Sequence, residues 1–587
     1  MHGTARREAR ISLRPAVFAL IMMCLLISPL RVRANAAEGV SEERAVKDAV
    51  ETFLHNFTEE ALLYEERDQR TGTVSDPEVT IPPEAWERTY RLSKKDVTLA
   101  EMRENIAFAA KKADYFAAMR RMQDIYRENL RLAYTYQVLD IEDDTCHVTV
   151  TEAAGFRYTD SAMPSVNESI YSVDLIKLDG RWLVAAFTDG SGFDKKYLKQ
   201  GSNFDVNAAM KELLESIQAE NCKLTNPYSG AMDWDWVPYN GANAAAYAYT
   251  YSRLQPEERY PDYYSPFFVN YAGEGGDCMN FASQCMWAGF GGSETASSIS
   301  SRTQPMDTSG SYRWYGRAHG GKSPSNSWIS CQSFRSYLTG TADASGSGGS
   351  DGGNDAGMYA TVLSVSGGSP ITGVAPEELI GAPVHVESSG RSYTHSIIIT
   401  AAVGTRRDQI WFCGHTKNVT NVKLGDCYLS SGLKIYIPRY LRTGRSQANT
   451  IQPQRIPPIA AGETGILGAQ TGGGQYRVWF QVTAPNGETV QTDAAGNTKI
   501  SQAEYLFTEP GLYKVECFAI SSPDAQPVSA AYYIRCYQPP EVPEADQPVE
   551  EIPADEAADG DPPAKPPEDA AVETGDPPVI DEFPDGI

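Results

Sequence analysis

Apolar positions recur at a spacing near 3.6 through "SEERAVKDAVETFLHNFTEEALLY" and again through "KKADYFAAMRRMQDIYRENL", which predicts helices over much of 40–135. The period then drops to two. "LAYTYQVLDI", "TCHVTVTEAAGFRYT", "ESIYSVDLIKL" and "GRWLVAAFTD" alternate as four strands, and "LDGRW" supplies a hairpin turn. "SNFDVNAAMKELLESIQAENCKLTNP" predicts a linking helix. A new unit opens at "VPYNGANAAAYAYTYS", an alanine-rich helix striped with Tyr247, Tyr249 and Tyr251. "GDCMNFASQCMWAGFGG" predicts another helix, with Asp277 as its N-cap and Cys278 as its first residue. Strands follow from Gly381: "APVHVES", "SYTHSIIITAAV", "DQIWFCGHT" and "GLKIYIP". Residues 450–540 alternate again between turn signals, as a two-sheet sandwich does.

A chain of 587 residues exceeds one hydrophobic core, so several domains are expected. Residues 1–36 read as a signal peptide: a basic start, the apolar run "PAVFALIMMCLLISPL", and Ala34-Asn35-Ala36 as a cleavage pattern. An uncleaved anchor is the alternative, given Arg31 and Arg33 between the run and the site. Either way the chain is expected to be exported. Removing this segment, with its six Arg and one Glu, takes the net charge from −25 to −30. Such acidity argues against nucleic-acid binding, which relies on Lys and Arg. The charge concentrates in 541–587, where sixteen Asp or Glu face one Lys. That Pro-rich tail, from 539 on, cannot build a core and is expected to be disordered. Residues 340–357 read as a Gly/Ser/Asp surface loop whose acids do not follow an EF-hand spacing. The sequence carries no signal for oligomeric state.

Ten cysteines, less Cys24 of the leader, leave an odd number, so at least one thiol should be free. Cys278 is the candidate. The first turn of a helix offers unpaired amides and the positive end of the macrodipole, which favour a thiolate and can hold an oxyanion. A thiol nucleophile needs an imidazole in reach and a group to orient it. Outside the leader and the N-terminal region, the histidines are His319, His385, His395 and His415. His395 opens the strand "HSIIIT" and faces helix termini best; His415, or Asn418 after it, closes the next strand and is placed to orient it. His385 competes for the base role. Asn280 and Gln284 are candidates for the cleft or for packing, and Trp314 and Tyr315 for a substrate wall or an aromatic plug. Cys517 and Cys536 lie on the last two sandwich strands and are candidates to pair. No C-x-x-C or H-x-x-x-H occurs, so no metal and no cofactor is expected.

The ordered set "YNGANAAAYAYTYS", "GDCMNFASQCMWAGFGG", "WYG", "SWISCQSFRSYL", "HSIIIT" and "GHT" resembles the putative amidase domain family of exported Gram-positive bacterial proteins, within the papain-like CHAP and NLPC-type superfamily. The resemblance covers 238–440. It implies a papain-like α+β fold, Cys278 as nucleophile, His395 as base and His415 as orienting residue. It also implies a peptide or peptidoglycan stem-peptide substrate, and so contact with the cell-wall surface. One departure is "GAPVHV", where Ala382 and Pro383 replace the family's Gly-Asp pair. The helices and strands of 37–225 resemble an NTF2-like or cystatin-like α+β domain, and "TEPGLYKVECFA" resembles immunoglobulin-like modules. The expectation is therefore a multidomain α+β protein. Its parts are an N-terminal domain over 37–225, a cysteine amidase domain over 236–445, an immunoglobulin-like β-sandwich over 450–538 and the tail. The competing reading is a catalytically silent module that binds cell-wall glycopeptide or another protein.

Overall fold

The computed structural model describes residues 36–539, apart from 63–88, 93–95, 218–221, 226–235, 260, 273–275, 303–304, 309–312, 322, 340–356, 389–391, 443–449, 473–476 and 495–499. Residues 1–35 of the expected leader, 340–356 of the expected Gly/Ser/Asp loop and 540–587 of the acidic tail lie outside the described residues. No described helix is long and apolar enough to cross a membrane.

The N-terminal part pairs two helices with a hairpin sheet. Helix α1 (Ala36–Leu62) and helix α2 (Leu99–Met122) flank the short strands β1 (Thr89–Arg91) and β2 (Asp96–Thr98). A capping box starts α2: the Thr98 hydroxyl accepts from the Glu101 amide, and the Glu101 carboxylate accepts from the Thr98 amide. Strands β3 (Arg127–Glu142), β4 (Thr145–Tyr158), β5 (Ser165–Leu178) and β6 (Arg181–Thr188) follow, antiparallel in sequence. They cover the four predicted strands, but β3 begins at Arg127, inside the span expected to be helical. The hairpin turn lies at Asp179 and Gly180, both at positive φ (49° and 76°), as a type I′ turn requires. Cys146, Val148 and Val150 of β4 pack with Val46, Val50, Leu54, Ala109 and Ala113 of the two helices.

The sheet does not end there. After helix α3 (Val206–Ile217) come β7 (Cys222–Thr225), β8 (Trp236–Pro238) and the site helices α4 (Gly241–Thr250), α5 (Cys278–Gly289) and α6 (Cys331–Thr339). Then follow β9 (Met358–Val365), β10 (Pro383–Ser388), β11 (Ser392–Ala402), β12 (Ile410–Gly414), β13 (Val419–Lys423) and β14 (Leu433–Arg442). Val419 and Thr420 of β13 pair with Asn167 and Val166 of β5. One sheet thus runs β3-β4-β5-β13-β12-β11-β10-β14-β9-β7, with β6 on β5 and β8 on β14. It crosses the boundary expected near 225–236. The segment expected to be one linking helix also divides, because Cys222–Thr225 joins β9 as a strand. The central strands are near-continuous apolar runs because both faces are covered. Ile398, Cys413 and Tyr436 pack under α4, α5 and α6, while Val384, Ile397, Ile399 and Phe412 pack on the opposite side.

The last part is a sandwich of two sheets. The first holds β15 (Ile451–Gln454), β17 (Thr464–Thr471) and β20 (Ile500–Leu506). The second holds β16 (Ile459–Ala460), β22 (Val528–Tyr537), β21 (Gly511–Ile520), β18 (Arg477–Thr483) and β19 (Thr489–Asp493). Leu467 and Ala469 of one sheet share a core with Phe480, Val515 and Ile534 of the other. Cys517 and Cys536 do not pair. Cys517 stands opposite Ala530 and donates to its carbonyl, while Cys536 stands opposite Gly511, six residues along the ladder. The sandwich is bolted to the rest of the chain through Arg455, whose guanidinium forms a buried ion pair with Glu294 and donates to the Gly292 carbonyl (2.8 Å).

Candidate active site

Helix α5 begins where the sequence predicts, but not by the predicted device. Asp277 precedes it with φ −103° and ψ 1° and makes no side-chain cap. Its buried carboxylate instead accepts from the Tyr271 amide (2.9 Å), Asn280 Nδ2 (2.7 Å) and His415 Nδ1 (2.9 Å). The Asp277 amide donates to Thr416 Oγ1 at 2.8 Å. Gly276 has φ 129°, a conformation that side chains rarely adopt, and an added Cβ would lie 3.4 Å from Thr416 Oγ1. The turn into the helix is therefore welded to the end of β12. The amides of the first turn are left without a side-chain cap from Asp277.

Cys278, partly exposed, occupies the first helical position. A hydrogen bond from the Cys331 thiol lowers its pKa, burial opposes this, and a hydrogen bond and charge interaction with His395 and the Ser396 amide lower it further, to about 4. Cys331 itself is pushed up, first by its bond to the Cys278 sulfur and then by burial. Cys278 and His395, 117 positions apart in sequence, are thus brought together by α5 packing over β11. Tyr428, just after β13, completes the surroundings, with its ring 6.4 Å from that of His395.

His415 does not orient His395. Its Nδ1 faces the Asp277 carboxylate and its Nε2 faces the Tyr251 carbonyl at 2.8 Å. One nitrogen faces a carboxylate and the other a carbonyl, so neither is left for a second imidazole. It is buried and stacked on Phe281 with centroids 3.7 Å apart. Asn418 is also committed elsewhere, donating to Glu168 Oε2 (2.7 Å) and the Tyr263 hydroxyl (3.1 Å). His395 Nε2 is buried and finds no hydrogen-bond partner among the described residues. His385 is no rival base. It is fully buried, with Nε2 against Met279 Sδ (3.4 Å) and its ring between Phe334 and Tyr436. Burial first, then the charges of Arg335, His395 and Lys434, lower its pKa to about 3.

Three of the four candidate substrate contacts are core residues. Asn280 Nδ2 serves Asp277 and the Val269 carbonyl (3.0 Å), and its Oδ1 accepts from the Trp328 indole (2.8 Å). Gln284 accepts from the Tyr247 hydroxyl at 2.9 Å. Trp314 is fully buried against Trp328, centroids 4.7 Å apart, and donates to Ser283 Oγ. Only Tyr315 is half-exposed, and the Arg302 guanidinium covers its ring at 4.1 Å. Sequence reasoning missed Cys331. Its signal was present in "SWISCQSF", a second cysteine at a helix start.

Residues 238–437, about a third of the chain, match the family model described as a putative amidase domain. No curated protein matches the chain. Among solved structures, a CARDB domain from Pyrococcus furiosus, determined in complex with di-metal ions, is 11% identical over 15% of this chain and 86% of that one, with a TM-score of 0.11. A polysaccharide lyase is 9% identical over 31% of this chain and 23% of that one, with a TM-score of 0.13. Neither likeness extends to the overall fold.

Proposed function

We propose that this chain is an exported, cysteine-dependent amide hydrolase acting on cell-wall peptides, with Cys278 as nucleophile and His395 as its base. The observation that carries the reading is an acidified thiol at an uncapped helix start with an imidazole against it. The amidase-family match over the same segment supports amide chemistry. In this reading the Cys278 sulfur attacks the amide carbonyl, and the Cys278 amide faces the oxyanion that forms. His395 delivers the proton to the leaving nitrogen. The thioester is hydrolysed by a water that His395 deprotonates, returning acid and thiol. The pair works as a dyad, since His415 and Asn418 serve other partners. His415 and Asp277 position the nucleophile by fixing the turn before it.

The fold readings stand beside this one: papain-like for the thiol helix on its antiparallel sheet, NTF2-like or cystatin-like for the N-terminal part, immunoglobulin-like for the sandwich. Export rests on the leader sequence, and N-terminal sequencing of the secreted protein tests it. The test of function is incubation of the full chain with peptidoglycan stem peptides. Expected are new amines, an acyl adduct on Cys278 after acid quench, and loss of both in Cys278→Ala. Release of amines by Cys278→Ala would overturn the assignment. Binding of fragments without turnover, equal in both proteins, would establish the silent binding module, which the lack of a partner for His395 Nε2 among the described residues favours.

A further inference from the structure

The dyad leaves Cys331 without a task, although its thiol hydrogen-bonds the Cys278 sulfur. Cys331 is the first residue of α6, 7% exposed, and lies in the same packed core as Cys278. The contact is held by the segment that leads into α6. Trp328 Nε1 donates to Asn280 Oδ1 (2.8 Å), and Ser283 Oγ donates to the Trp328 carbonyl (2.9 Å). Both tie the turn at Asn326–Ile329 to the first two turns of α5. Phe334 and Tyr337, one and two turns on in α6, are anchored in the core beneath, which fixes the start of α6 where Cys331 sits. Of the other described thiols, Cys285 and Cys413 are fully buried in this core, Cys146, Cys517 and Cys536 are buried in other cores, and Cys427 is exposed.

We propose that Cys278 and Cys331 form a reversible disulfide that masks the nucleophile and shields it from irreversible oxidation. The oxidant is a peroxide. The Cys278 thiolate displaces hydroxide from hydrogen peroxide, giving a sulfenic acid, so sulfur loses two electrons and the O–O bond breaks. The Cys331 sulfur then attacks the Cys278 sulfur; the S–S bond forms, the S–O bond breaks, and the Cys331 proton leaves with the hydroxyl as water. The sum is one thiolate, one thiol and one peroxide giving a disulfide, water and hydroxide. A dithiol returns both sulfurs to the reduced state by exchange. An exported chain meets such oxidants without a cytosolic reducing pool. The disulfide stands on the thiol contact and on the packing that holds the start of α6 against the start of α5; its value as a switch rests on the proposed hydrolase.

The experiment treats the full reduced chain with a several-fold excess of hydrogen peroxide, since the step from sulfenic to sulfinic acid consumes a second peroxide, blocks free thiols under denaturing conditions and maps peptides by mass spectrometry. Expected is a crosslinked 278–331 peptide, lost on dithiothreitol treatment with full return of Cys278 alkylation. In Cys331→Ser the crosslink is absent and Cys278 goes on to sulfinic acid that dithiothreitol does not reverse; Cys427→Ser keeps the crosslink. Sulfinic acid on wild-type Cys278 at the rate seen in Cys331→Ser overturns the proposal, as does a crosslink from Cys278 to another cysteine. Stem-peptide hydrolysis measured on the same samples separates the two readings. A crosslink without hydrolysis in any redox state sinks the hydrolase and leaves the pair, whereas hydrolysis indifferent to peroxide sinks the switch and leaves the hydrolase.

Discussion

Alkylation of Cys278 by iodoacetamide should be nearly independent of pH from about 5.5 to 9, and the shape of the profile matters more than the speed. The lowered pKa, about 4, means that the thiolate is present above that value and is lost only as pH falls through it. At pH 5 it is roughly nine-tenths ionised, against ~0.03% for a free thiol of pKa ≈ 8.5, a ratio of about 3,000. Intrinsic nucleophilicity falls with basicity. With a Brønsted slope of ≈ 0.45 over ~4.5 units, the thiolate is roughly 100-fold less reactive than that of a free cysteine. The product is an advantage of ~30-fold at pH 5, which shrinks to parity between about pH 6 and 7 and reverses above. A single rate at neutral pH would therefore miss the effect. The assay is a rate series from pH 3 to 9, with each cysteine followed by peptide mass spectrometry. His395→Ala and Cys331→Ala should each move the inflection upward, because each removes a partner of the thiolate. A wild-type rate that climbs about tenfold per unit between pH 6 and 8 would refute the reasoning, since it would place Cys278 among ordinary thiols.

Further outcomes follow from packing and charge. Gly241→Ala should destabilise by about 1–3 kcal/mol or more, because the new Cβ would lie 1.9 Å from the Ile380 carbonyl oxygen, a backbone atom that cannot step aside; an unchanged thermal midpoint would contradict this. Arg455→Leu should cost about 3–5 kcal/mol in urea unfolding by stranding the buried Glu294 carboxylate, and adding Glu294→Leu should recover most of the loss. Equal instability of the single and double variants would show that the pair is not what joins the sandwich to the rest of the chain. Burial raises Glu152 to about 7 against the Thr58 hydrogen bond, so the folded state keeps a proton that the unfolded chain releases near 4.5. Stability should fall as pH climbs through that window. Glu152→Gln should remove the slope, gaining up to ~3 kcal/mol at pH 8 and nothing at pH 4, as urea midpoints at the two values would show.

What was legible in the sequence was local. The period-two run of β4 and the Asp179-Gly180 turn specify their hairpins without help from the rest of the chain. The Asp-Cys step into an apolar run marks a helix start, and the isoleucines after His395 mark a strand whose mouth it occupies. Polar residues inside those elements were misread, because their partners come from far away. Asn280 looks like a cleft residue until the Trp328 indole, 48 positions on, fills its oxygen, and Gln284 until the Tyr247 hydroxyl, 37 positions back, fills its own. The join between β5 and β13 rests on two residue pairs, too few for any pattern to announce.

His415 is the instructive case. Its place at the end of the strand beside His395 made it the natural orienting residue, since neighbouring strands bring such positions close. What decides its role is the arrival of two acceptors on either side of the ring, the Tyr251 carbonyl at the end of α4 and the Asp277 carboxylate before α5. Both are fixed by helix packing, which strand register says nothing about. The consequence reaches the chemistry. A ring with an acceptor at each nitrogen binds the α4 terminus, the β12 terminus and the turn before Cys278 into one joint. Glu294 extends that joint, since it takes the Tyr251 hydroxyl on one oxygen and Arg455 of the sandwich on the other. The thiol is thus held through a continuous polar chain that begins in the sandwich. Its precision depends on residues that a reading confined to 236–445 would leave out.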